Sequence, residues 1–281
     1  MIPMAFDYHR ATSVDDALAA LGGGGKLLAG GHSLIPLMKL RLSEPERLID
    51  IGRLSELAGV RQFGDEIEIG AGTVHHAVAT SALLRDVCPV ITETAQAIGD
   101  PQVRNKGTLG GSLAHADPSA DYPATMIALD ADIHIRSARG TRTVKAADFF
   151  IDLFTVDLAP DEIITAVRFT PVKSAAYAKL HQRASHFAIV GVAAALTISG
   201  GTIQSARVGL TGATSHATRL TPVEDALRGK PASLLTIDAA AASATAALEG
   251  VNSDIHASEE YRRAMVTVFT KRALIEALAR G

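Results

Sequence analysis

Leu27-Leu28-Ala29-Gly30-Gly31-His32-Ser33-Leu34 and, further on, Thr108-Leu109-Gly110-Gly111-Ser112 are the two stretches on which the reading of this chain turns. The first carries a short apolar strand, 26–29, straight into a double-glycine turn. The second lies within 99–123, a stretch rich in Gly, Asp, Pro and Ser that reads as a long loop. Loops of that length inside a compact domain are usually functional. Each turn can present successive backbone N–H groups in a concavity. Glycine permits the angles this needs and lets a phosphate approach without meeting a Cβ. Two such turns facing one another would satisfy a diphosphate with no basic residue. Either turn taken alone also fits a plain connection between elements.

Other phosphate motifs are excluded. The run Gly22-Gly23-Gly24-Gly25 precedes Lys26, but Leu27 stands where a P-loop needs Ser or Thr. No G-x-G-x-x-G follows a strand, which disfavours a doubly wound dinucleotide fold.

Before the first turn, Ser13 can cap a helix in which Val14, Ala17, Leu18 and Leu21 fall at helical spacing, with Asp16 at the capping-box position. The tetraglycine ends it. Strands at 26–29 and 47–51 complete a small α/β unit, 1–55. A second unit, 56–173, opens with the alternating strand 66–70. Thr73 is placed to cap a helix running to about 84, and Pro89 to open another reaching 98. A hairpin at 132–136 and 142–144 and a strand at 163–169, closed by Pro171, follow. In the third unit, 174–281, Gly200-Gly201 separates strands at 188–198 and 203–211. An alanine-rich helix is expected at 236–248. Ser258 caps a last helix with Glu259 and Glu260 early and Lys271, Arg272 and Arg280 late, as the helix dipole favours.

Composition narrows the function classes. The chain has 281 residues, 47% hydrophobic, with a formal charge of -3, so neither disorder nor a nucleic-acid face is indicated. Trp is absent and aromatics are 4%, which removes base-stacking platforms. Cys88 is the one cysteine. The chain therefore cannot close a disulfide on itself or build an iron–sulfur cluster alone. Its apolar setting before Pro89 reads as buried and inert. The opening residues lack the pattern of a signal peptide and no run is long enough for a transmembrane segment, so a cytoplasmic protein is expected. No acid/base pair or nucleophile stands out.

The segment from Ala29 to Arg41 (AGGHSLIPLMKLR), together with Gly99-Asp100-Pro101-Gln102-Val103-Arg104-Asn105 and Gly107 to Ser112, resembles the FAD-binding medium subunits of molybdenum hydroxylases. That family includes the medium subunit of carbon monoxide dehydrogenase and the flavin domain of xanthine dehydrogenase. The likeness runs over essentially the whole chain. It implies an α+β fold of the vanillyl-alcohol-oxidase type: two subdomains clasping FAD, plus a C-terminal α+β domain. It further implies an oxidoreductase subunit with two partners, a molybdopterin-containing large subunit and a small subunit with two 2Fe–2S clusters, assembled as a dimer of heterotrimers. Electrons would pass from those clusters through FAD to an external acceptor.

Carried over by motif, Leu27, Leu28, Ala29, Gly30, Gly31, His32, Ser33 and Leu34 match the first FAD segment. Thr108, Leu109, Gly110, Gly111 and Ser112 match the second. Asp121 matches an acidic position that contacts the cofactor. Lys179 matches a lysine at the flavin edge, where positive charge would favour reduced anionic flavin. Ile98 and Ile164 match apolar packing positions; some relatives carry an aromatic in place of Ile98. The residues alone leave other readings open. His32 also fits an ordinary surface histidine, and Lys179 a partner for a carboxylate. A stand-alone flavoprotein oxidoreductase, or a non-catalytic nucleotide-binding module, would share these motifs.

Overall fold

Ser13 accepts a hydrogen bond from the Asp16 amide and so starts a helix whose Val14, Ala17, Leu18 and Leu21 are buried. The computed structural model of the chain describes residues 2–281. Its first part holds β1 (Asp7–Arg10), α1 (Val14–Gly22), β2 (Lys26–Leu28), α2 (Leu34–Lys39) and β3 (Arg47–Asp50). The strands form a parallel sheet in the order β1-β3-β2. Parallel strands need a crossover; α1 links β1 to β2, with β3 inserted between them, over a small core with Ile49 and Ile51.

The middle part begins with β4 (Val60–Phe63) and β5 (Glu66–Gly70), then six helices: α3 (His75–Thr80), α4 (Ala82–Val87), α5 (Pro89–Gln96), α6 (Pro101–Arg104), α7 (Leu109–His115) and α8 (Asp121–Ala128). β6 (Asp132–Ser137), β7 (Gly140–Lys145), α9 (Ala146–Phe149), β8 (Phe150–Asp152), β9 (Thr155–Val156) and β10 (Ile163–Phe169) complete it. Its main sheet runs β4-β5-β10-β6-β7, and its inner face and the helices share the largest core.

Two expectations change here. The stretch 99–123 is not a loop but contains α6, α7 and the start of α8, each short enough for capping residues to dominate its composition. Thr73 caps no helix. Its hydroxyl is used by the Gly59 amide and carbonyl, while Ser81 breaks the expected helix in two and caps α4.

The last part packs β11 (Ala175–His181), β12 (Ala188–Ser199), β13 (Thr202–Thr211) and β14 (Thr218–Arg219) antiparallel, in sequence order. α10 (Thr221–Leu227), α11 (Leu234–Ala241) and α12 (Glu259–Ala279) supply a second core beside them. Ser258 caps α12 as expected. The alanine-rich helix stops at Ala241, not 248. α8 is buried along its whole length and touches the C-terminal sheet. A side chain at Gly209 would strike the Ala124 carbonyl. Cys88 is fully buried, and burial pushes its thiol up to about 11.

Candidate functional site

The two glycine bends, one after β2 and one between α6 and α7, touch. A Cβ at position 30 would overlap the Lys106 carbonyl and sit 2.8 Å from the Gly107 Cα. Only glycine allows this approach. Gly31, next in the chain, has φ +74°, a region that costs other L-residues about 1 kcal/mol or more. The chain then turns into α2. Among the described residues, no protein acceptor takes the backbone N–H of Gly30, Gly31, His32 or Ser33.

The second bend is built otherwise. Thr108 caps α7 through its hydroxyl, which accepts from the Gly111 amide at 3.1 Å. The Leu109 amide donates to Thr73, the Gly110 amide to Ala71 and the Ser112 amide to Thr108. The expected nest of free N–H groups is therefore closed on this side, because strand-like pairing with residues 71–75 engages them first. Gly110 is needed for close packing, since a Cβ there would lie 2.9 Å from the Ala71 oxygen. Gly111 is exposed, and a Cβ there would meet nothing but the Thr108 hydroxyl. His75, not among the residues expected at the site, lies beneath. Its amide donates to the Gly107 carbonyl at 2.9 Å, and its ring blocks any side chain at Gly107. Burial pushes this imidazole down to about 4, so it is neutral at pH 7.

Both bends line one crevice of about 1100 Å³. Of the residues singled out from sequence, Leu27, Ala29, Gly30, Gly31, His32, Ser33, Leu34, Ile98, Thr108, Gly110, Gly111, Ser112, Asp121 and Ile164 lie on its wall. Leu28 and Leu109 are not on it; Leu109 is fully buried in the core. Lys179 stands behind the wall. Its ammonium, on a side chain 7% exposed, lies 2.8 Å from the Asp121 carboxylate and also donates to the Ala97 carbonyl. Tyr177 donates to the same carboxylate. Burial pushes the Asp121 carboxyl up, against the opposing pull of Lys179 and Tyr177. The lysine thus supports the aspartate, and with it the first residue of α8.

Ile98 is held by the Gly99–Asn105 motif. Asp100 caps α6, Pro101 opens it, and Arg104 donates to the carbonyls of Ile98 and Gly99. Further along, Phe154, Glu162, His186 and Phe187 border the crevice. Nothing in their local sequence marks them, because long-range packing brings them there.

The arrangement suits a large, partly apolar ligand with an anionic centre. Its cradle would be filled by a Cβ at several points, while apolar walls such as Ile51, Leu57 and Ile98 extend to either side.

Residues 4–173 match the family described as the FAD binding domain in molybdopterin dehydrogenase, and residues 175–277 the CO dehydrogenase flavoprotein C-terminal domain. The carbon monoxide dehydrogenase medium chain of Hydrogenophaga pseudoflava is 40% identical, the match covering 100% of this chain and 99% of that one. Subunit alpha of the 6-hydroxypseudooxynicotine dehydrogenase complex of Paenarthrobacter nicotinovorans is 37% identical, over 100% and 97%. Among solved structures, carbon monoxide dehydrogenase from Hydrogenophaga pseudoflava superposes with a TM-score of 0.95 at 41% identity, over 100% and 99% of the two chains. Quinoline 2-oxidoreductase from Pseudomonas putida 86 gives 0.93 at 32%, over 99% of each.

Proposed function

This chain belongs to the FAD-binding medium subunits of the molybdenum hydroxylases, and from that premise we propose that its crevice holds the FAD pyrophosphate between residues 30–33 and the start of α7. It is the flavin component of an oxidoreductase complex that also contains a molybdopterin-bearing large subunit and a small iron–sulfur subunit. Bound FAD supplies the redox chemistry, taking electrons from the partner's clusters and giving them to an external acceptor. The chain itself binds, orients and shields.

The observation that carries the binding mode is the contact between Gly30 and the Lys106–Gly107 backbone, which brings both bends to one crevice. The unengaged N–H groups of residues 30–33 are the main-chain donors. On the facing side, the Thr108 and Ser112 hydroxyls take over the task. Gly111 leaves room for close approach. Ile98 and Ile164 offer apolar contact. Asp121 faces the crevice from the head of α8, its charge balanced by Lys179 from behind.

The division 1–55, 56–173 and 174–281 is supported by the three main sheets and by family matches that break between 173 and 175. No described helix is long and apolar enough to cross a membrane, and we assign the complex, a dimer of heterotrimers, to the cytoplasm. Relatives named for carbon monoxide, a nicotine derivative and quinoline share this chain's full length. That supports a primary substrate chosen in the molybdenum subunit.

The test is titration of the apo-chain with FAD, followed by its visible absorption, for the wild type and Gly111→Val. The wild type should saturate at one FAD. The variant should stay folded, losing about 1 kcal/mol as its Cβ displaces the capping Thr108 hydroxyl, but bind FAD about 100-fold more weakly, since a branched side chain would fill the cradle. Normal flavin content in the variant rejects this binding mode.

A further inference from the structure

His75 is buried at the crevice with a ring that makes no hydrogen bond. Its backbone is fixed, since the amide donates to the Gly107 carbonyl, and the residue is 5% exposed. Yet neither ring nitrogen has a partner among the described residues. Nδ1 is wholly enclosed. The Nε2 edge lies against Gly107, and both residues border the crevice. Tyr122 does not help, although the two ring centroids are 5.3 Å apart, because its own hydroxyl is buried and unpartnered. His134 makes the contrast. Its Nε2 is also unpartnered, but its Nδ1 meets the Thr143 hydroxyl at 3.3 Å, and it does not border the crevice.

Burying an imidazole without partners is unfavourable for the folded chain alone. A partner from outside the chain would offset that cost, and the open side of the ring is the crevice. The imidazole is neutral at pH 7, so one nitrogen carries the proton and the other a lone pair. A buried N–H left unpartnered is rarer than an acceptor left so. The enclosed Nδ1 therefore keeps the lone pair, and Nε2 the proton. We propose that His75 is a further binding residue for the cofactor, its Nε2 donating to a diphosphate oxygen. The inference rests on the assignment of FAD to the crevice and deepens it. The second bend has committed the amides of Leu109, Gly110, Gly111 and Ser112 to the protein, and His75 supplies a donor at that same bend. The groups whose charge reaches the ring, His32 and Arg104, are both basic, which suits an anionic oxygen better than a sugar hydroxyl.

The experiment compares the wild type, His75→Met and His75→Gln by urea melts of the FAD-free chain and by titration with FAD. ADP serves as a competitor, since it keeps the diphosphate and lacks the flavin. Methionine fills the space without a polar nitrogen; glutamine keeps an N–H at a similar reach. Without FAD, His75→Met should melt at or above the wild-type urea midpoint. It should bind FAD and ADP each about 30-fold more weakly, the loss of one hydrogen bond to a charged group. His75→Gln should return FAD affinity to within about threefold of the wild type. A residue that only packs the core would do the reverse: His75→Met would lose stability and keep its FAD affinity, and that result overturns the proposal. So does an FAD loss that ADP does not share or that glutamine does not reverse. Should His75→Met fail to fold, nitrogen NMR of the wild-type imidazole decides. A proton on Nε2 that shifts when FAD is added supports the contact; a proton on Nδ1, or no shift, overturns it. A wild-type chain that takes up no FAD would instead defeat the crevice assignment. Normal wild-type uptake with undisturbed variant affinity defeats the role of His75 alone.

Discussion

The bend at Gly30–Ser33 and the bend at Thr108–Ser112 look alike in sequence and are opposites in construction. The first keeps its amides unengaged and its shape through one left-handed glycine. The second has given its amides to residues 71–75 and to its own cap, and presents a helix start with little side chain in the way. One side offers main-chain donors; the other offers two hydroxyls on a smooth wall. Paired glycines, then, do not by themselves mean a pair of N–H nests. Gly31 answers a conformational demand, Gly30 and Gly110 answer demands of contact, and Gly111 answers the demand for empty space.

The harshest break of this contrast is Gly30→Val. It should separate the two bends, cost roughly 3 kcal/mol of stability by overpacking against backbone, and abolish FAD uptake; urea melts and FAD titration read both. A melt like the wild type's would mean the bends are not held by that contact.

The buried imidazole distinguishes the second bend by pH. His75 protonates at about 4 when folded and near 6.5 when unfolded. The unfolded chain therefore takes up the proton first. The stability from this group is complete above about pH 6.5 and falls by roughly 3 kcal/mol on the way to pH 4. His75→Gln should remove that part of the slope in denaturant melts at stepped pH, and identical slopes would show that the ring is not buried as described.

Gly110→Ala should cost about 2 kcal/mol by pressing on Ala71, and Gly111→Ala far less, although the two are neighbours. Equal losses would erase the division between a packing glycine and a cradle glycine. The smallest effect is expected from Thr108→Val. Removing the cap should cost about 1 kcal/mol and weaken FAD modestly, with Thr108→Ser restoring both. A valine variant with unchanged affinity would take the hydroxyl off the list of ligand donors.

Much of this was legible from residues that act locally. Ser13 and Ser258 announce their helices because a cap needs only its own first turn. Gly200 and Gly201 mark the β12–β13 hairpin, both with positive φ. The sequence of 99–123 misleads because Asp100, Pro101 and Thr108 are capping residues and loop residues at once, and only tertiary packing distinguishes the two. Thr73 misleads for a similar reason, since its partner Gly59 lies on the far side of β5. At the site, the glycines could be found from composition, but their different duties could not. Ala71, His75 and Lys106 are unremarkable in sequence and decide what each glycine does. Lys179 was open between flavin and carboxylate, and its pairing with Asp121 depends on β11 lying beside the head of α8.

The meeting of residue 30 with residue 106 also has a meaning for biogenesis. The cradle does not exist in either half of the chain before the halves mate, so flavin uptake reports on correct mating. A cell that retains only yellow subunits for assembly would thereby discard mispaired ones, with no separate inspection step.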